Sequence, residues 1–211
     1  MSWFRGWQRF KQSRGHGVHS PFAFDLIRKV LRSTHHYYAF DEIEDHTAAH
    51  HYDLLRNSSF YHLSFRLVNY LKAKRILEIH SGAGVNTLFL ISSDRNIRCS
   101  CVEDRADQVA IAKRLTAAKS SQCTMLSHLP EEGIYDAIVL YPGEGVIPST
   151  DTLLRLSHDD TVWIIHPVNR GKGKQFWHNI VNDERIGITF DMKDTGIAFC
   201  RQSFSRLHYY L

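Results

Sequence analysis

The stretch Arg75–Leu90 (RILEIHSGAGVNTLFL) constrains this chain more than any other. Its aliphatic first third reads as a buried strand, Gly82 and Gly84 interrupt it, and an apolar helical run starts at once from Val85. The next strand-like run, Ile97–Val102, ends on the acid pair Glu103-Asp104. A strand, a glycine turn at a helix mouth and an acid at the tip of the following strand make a nucleotide-binding arrangement. Each part has a physical reason. Glycines let the backbone approach a ligand and take torsions closed to other residues. A helix start presents unpaired N–H groups, and a carboxylate beyond the next strand can accept both hydroxyl protons of a ribose.

The rest of the chain fits one α/β unit behind an N-terminal extension. Its 211 residues suffice for one sizeable core, and 43% hydrophobic with 23% charged residues is ordinary for a globular protein. No apolar run reaches the roughly 18 residues that span a bilayer. Four cysteines, with Cys99 and Cys101 on one strand face, imply reduced thiols in a cytoplasmic protein, and their spacing is not that of a zinc site. The net charge of +4 is mild and gathers in the first 32 residues, where it reads as a solvated helix face rather than a nucleic-acid surface.

Residues 1–58 read as a helical extension or lid, and 59–211 as the α/β domain. Trp3, Phe4, Trp7 and Phe10 recur at helical spacing over 3–12, and so large an apolar face calls for a partner surface. That surface is either the domain or a second copy of the chain. Ser20-Pro21 starts a helix whose stripe is Phe22, Leu26, Ile27, Val30 and Leu31. Residues 35–57 read as helix or ordered loop. Beyond them helices are expected near 58–73, 85–93, 106–119, 150–157 and 172–182. Strands are expected at 75–80, 97–102, 122–126, 135–141 and 161–166, with a closing pair at 186–191 and 196–200. Such alternation implies a mainly parallel sheet, and the short link between the last two strands implies that one of them is reversed.

Aligned on its glycines, Glu78-Ile-His-Ser-Gly-Ala-Gly84 resembles the E-x-G-x-G-x-G motif of class I S-adenosylmethionine-dependent methyltransferases, with His80 in place of the first glycine. The resemblance runs from roughly Phe60 to Cys200 and takes in Glu103, the fourth-strand run Tyr135–Tyr141 and the closing strand pair. It implies a Rossmann-like, mostly parallel sheet with the last strand antiparallel, S-adenosylmethionine as cofactor and a small-molecule methyl acceptor. By the same likeness Glu78, His80, Ser81, Gly82 and Gly84 surround the cofactor, Glu103 and Asp104 take its ribose, and Ser127 lies beside its adenine. Tyr141 stands where the metal-dependent O-methyltransferases begin a metal site with aspartate, so no metal is expected there. Tyr141 and His166, at the ends of their strands, are the candidates for the acceptor side, with His166 able to serve as a general base. Leu140-Tyr-Pro-Gly143 lacks the Asn/Asp-Pro-Pro-Tyr set of amide and nucleic-acid methylating branches, so no nucleic-acid partner is expected. A non-catalytic descendant of the fold, serving as a binding module, is the alternative that His80 motivates.

Overall fold

The computed structural model describes residues 20–49, 58–201 and 206–211. The aromatic helix expected at 3–12 lies outside the described residues. In chain order the helices and strands begin with α1 (Pro21–Leu26, continued by a π turn over Ile27–Leu31), α2 (Tyr38–Ala49), α3 (Ser58–Leu71) and β1 (Arg75–Ile79). There follow α4 (Val85–Ser92), β2 (Arg98–Val102), α5 (Ala106–Leu115), a 3-10 turn (Ala117–Gln122), β3 (Cys123–Leu126) and β4 (Tyr135–Leu140). The chain ends with α6 (Thr150–Arg155), β5 (Ser157–Ile165), α7 (Gly171–Asn182), β6 (Ile188–Asp191), β7 (Gly196–Phe199) and β8 (Leu207–Tyr210). Contacts group these elements into two units: residues 35–140, and residues up to 34 with 141–211. Of the expected N-terminal extension, α2 therefore belongs to the first unit and α1 to the second.

In the first unit the strands run in the order β3-β2-β1-β4, each parallel to its neighbour. Ile76–Ile79 and Ala137–Leu140 are buried along their whole length, as strands covered on both faces must be. The chain steps outward from β1 through β2 to β3, then returns to β4 on the other side of β1. Ligand crevices in open sheets form at such a reversal. Behind the sheet an aromatic cluster joins α2, α3 and α4. Phe40 stacks on His62 at 4.0 Å between ring centroids and meets Phe65 edge-on at 5.0 Å, with Phe89 at 5.9 Å. His62 Nε2 also lies 3.0 Å from Glu44 Oε1. The stretch 35–57 is thus helical over 38–49, although only Phe40, Ile43 and Thr47 of that helix are buried.

In the second unit the order is β5-β7-β6-β8. The strand β7 is antiparallel to both β5 and β6, which places the expected reversal at the predicted strand 196–200. One strand was not foreseen: β8, parallel to β6. Ser20 caps α1 by accepting the Ala23 N–H at 3.3 Å, with Pro21 opening the helix as the Ser-Pro pair predicts. Phe22 then meets Phe199 of β7 edge-on at 5.0 Å. No helix among the described residues is long and apolar enough to cross a membrane.

Because Phe40 is fully buried and links three helices, Phe40→Ala should cost about 3–5 kcal/mol of unfolding free energy, read by urea denaturation. A loss below about 1 kcal/mol would mean that α2 is not packed on this core.

Candidate functional site

The glycine turn is held by the strand beside it. Val102 O accepts the N–H of His80 at 2.9 Å and of Ser81 at 3.2 Å, which carries the β1–β2 pairing past the end of β1. The Gly84 N–H closes the turn on Ser81 O at 3.1 Å, and Leu88 N–H to Gly84 O at 3.2 Å opens α4. His80, Gly82 and Gly84 all have positive φ, at 61°, 56° and 79°. At Gly84 a side chain is excluded twice, since a Cβ there would lie 2.9 Å from that of Ala112. His80 takes a left-handed torsion at the position where the motif it resembles carries glycine, and histidine tolerates it better than most residues.

Two carboxylates grip this turn. Glu78 is fully buried, and its Oε1 and Oε2 accept from Asn86 Nδ2 at 2.9 Å and Thr87 Oγ1 at 2.5 Å, binding β1 to the first turn of α4. Thr87 stands where a dinucleotide turn would carry its third glycine, so the departure from that motif supplies a partner for Glu78. Glu103, at 3% exposure, turns inward rather than to solvent. Its Oε2 accepts the Gly82 N–H at 2.8 Å and the Arg105 guanidinium at 3.2 Å, while Oε1 accepts Arg105 Nε at 2.8 Å and the Arg105 amide at 3.1 Å. Burial pushes this carboxyl up, but the Arg105 guanidinium and the two amides outweigh it and hold it below the ordinary carboxylate range.

Two buried polar atoms at the same place have no hydrogen-bond partner among the described residues: Ser81 Oγ and Asn86 Oδ1. Buried polar atoms without partners are uncommon and ask for an explanation.

The structure therefore gathers Glu78, His80, Ser81, Gly82, Gly84 and Glu103 about one turn. Asp104 is exposed, as are Ser127 and His128 in the bend after β3. Tyr141 and His166 belong to the second unit. There a Cβ at Gly173 of α7 would fall 1.9 Å from Pro167 O and 3.6 Å from Pro142 Cβ, so the Tyr141-Pro142 and His166-Pro167 segments meet at that glycine. His166 is buried with Nδ1 3.1 Å from Thr195 Oγ1. Burial, partly offset by Asp194, lowers its pKa and favours the neutral ring. Sequence reasoning missed Asn86, Thr87 and Arg105. The first two lie immediately after the turn and the third two residues beyond Glu103, where a side chain can fold back on its neighbour.

No protein-family model matches the chain, and no curated protein sequence does. Solved structures do match. A methyltransferase from Geobacter sulfurreducens is 11% identical over 80% of this chain and 92% of its own, with a TM-score of 0.60. An S-adenosylhomocysteine-bound methyltransferase from Podospora anserina is 14% identical over 82% and 92%, at 0.62. An O-methyltransferase from Bacillus cereus in complex with S-adenosylhomocysteine is 16% identical over 79% and 92%, at 0.57. At such identities the likeness is one of architecture: this chain has the Rossmann-like fold of the S-adenosylmethionine-dependent methyltransferases.

His80→Gly should leave stability unchanged or raise it by up to about 1 kcal/mol, because the torsional strain removed competes with the added freedom of the unfolded chain. Marked destabilisation in urea would show instead that the imidazole is a structural contact. The titrations predict a pH profile. His166 and His62 are both less basic folded than free, chiefly through burial, so the unfolded chain takes up protons first and stability falls as pH drops below the ordinary value of 6.5. The Glu103 contribution is complete above the ordinary 4.5 and is lost as pH falls through its depressed pKa. Urea midpoints measured from pH 8 to 4 should decline in that order, with a shallower first step in His166→Gln.

Proposed function

We propose that this chain is an S-adenosylmethionine-dependent methyltransferase acting at an oxygen of a small molecule, with no metal in the acceptor chemistry. The observation that carries the reading is the pair of unpartnered buried atoms, Ser81 Oγ and Asn86 Oδ1, beside a glycine turn gripped by Glu78 and Glu103. These residues fit the cofactor. Gly82 leaves the main chain bare, and Glu103 offers a carboxylate for ribose hydroxyls once Arg105 yields to them. Asp104 and Ser127 complete the proposed cofactor set on the ribose and adenine sides.

When bound, S-adenosylmethionine supplies a sulfonium methyl for in-line displacement. The protein's part is to orient both reactants and exclude water, so a dedicated base is helpful rather than essential. For the acceptor we propose Tyr141 and His166, the latter as a neutral imidazole able to take a hydroxyl proton. Tyr141, in the place of an aspartate, supports chemistry without a metal there. The preference for oxygen rests on relatives in the fold such as the Bacillus cereus O-methyltransferase. We read residues 1–58 as an extension that serves as a lid or an interface between copies, and the setting as cytoplasmic, in keeping with free cysteines.

One observation pair favours the alternative, a binding module without catalysis: His80 replaces a motif glycine, and Arg105 already engages both oxygens of Glu103. Calorimetry separates the two. S-adenosylhomocysteine should bind the wild-type chain, and Glu103→Gln should weaken it at least about ten-fold, roughly 1.4 kcal/mol. Absence of binding to the folded wild-type chain sinks the enzymatic reading and leaves the module.

A further inference from the structure

The face of the first unit's sheet that carries Glu78 also carries sulfur. Alternate residues of a strand share a face, so Cys99 and Cys101 of β2 project together. The register sets Cys101 opposite Glu78 of β1, and Cys99 opposite Cys123 of β3. Glu78, Cys99 and Cys101 are each no more than 1% exposed. The two Sγ atoms lie 3.6 Å apart, and one donor atom from each of the three residues falls within 4.8 Å of the others.

We propose that Glu78, Cys99 and Cys101 hold a zinc ion. A tetrahedral ion with Zn–S bonds of about 2.3 Å spaces two thiolates about 3.8 Å apart, close to the separation already present. A disulfide is the poorer use of the same pair. Alternate strand residues place their Cα atoms about 6.6 Å apart, at the outer limit of disulfide geometry. The hydrogen bonds from Asn86 and Thr87 orient Glu78 as a ligand carboxylate requires. On binding, the ion forms bonds to sulfur and to a carboxylate oxygen, and the thiol protons pass to solvent. Cys99-Ser-Cys101 alone does not announce this site, because the third donor, Glu78, comes from the neighbouring strand. The ion's role is structural, fixing the strand end from which the glycine turn departs, and it does not rest on the methyltransferase reading.

The test uses the full chain, purified under reducing conditions, stripped with a chelator and reloaded with zinc or cobalt. About one tightly held ion per chain is expected, together with a thiolate-to-cobalt charge-transfer band and a rise in melting temperature on adding zinc. Cys99→Ser/Cys101→Ser should lose the band and the thermal shift, while Cys200→Ser, a buried thiol of the second unit, should keep both. A wild-type chain that takes up no ion overturns the proposal. So does one whose cobalt spectrum lacks sulfur charge transfer, a result that stands even if the double variant fails to fold. Retention of zinc by a folded double variant overturns it as well.

Discussion

The first unit depends on two carboxylates that hold one turn from opposite sides. Glu78 reaches forward from β1 to the first turn of α4, and Glu103 reaches back from the end of β2 to the Gly82 amide. Hydrogen bonds to a charged acceptor contribute about 1.5–3 kcal/mol each, enough to offset burial of both acids. Without them a loop with three positive-φ residues in succession of five would have little reason to keep one conformation. The parallel pairing of β1 with β2 makes the arrangement possible, since both carboxyl ends then emerge on the same side.

Arg105 makes this site more than a preformed cradle. Its guanidinium shares Glu103 with the Gly82 amide, so a ribose that approached the carboxylate would exchange one set of hydrogen bonds for another. Such an exchange would gain less than a free carboxylate offers, because the bonds from Arg105 are given up as those to the ribose form. The same guanidinium keeps Glu103 ionised when no ligand is present, which preserves the turn. Stability of the empty site and affinity for a ligand are therefore set against each other through one side chain.

How far this was legible in the sequence follows from the range of each interaction. Gly82, Gly84 and the Ser20-Pro21 start write backbone torsions and caps directly into local sequence, and the apolar runs at Ile76–Ile79 and Ala137–Leu140 announce buried strands. Helix α2 was obscure because its buried face consists of Phe40, Ile43 and Thr47 among charged neighbours, and it is held by aromatic partners distant in the chain. β8 was obscure because four residues at the C-terminus carry no alternation that marks a face. The sulfur cluster depends on register between strands, which no spacing within one strand encodes. Thr87 was visible only as a failure of the dinucleotide motif, and its reason appears once it is seen donating to Glu78.

His80 ties these threads together. Its backbone occupies the left-handed region that the turn demands, so the geometry survives while the residue departs from glycine. Histidine bears that torsion at a cost of about 1 kcal/mol, which a glycine would avoid. Strain of this kind persists where the surroundings over-determine it, and here they do: Val102 O fixes both His80 N–H and Ser81 N–H. The torsion that the turn demands is thus kept by a residue bearing an imidazole, at the carboxyl end of β1.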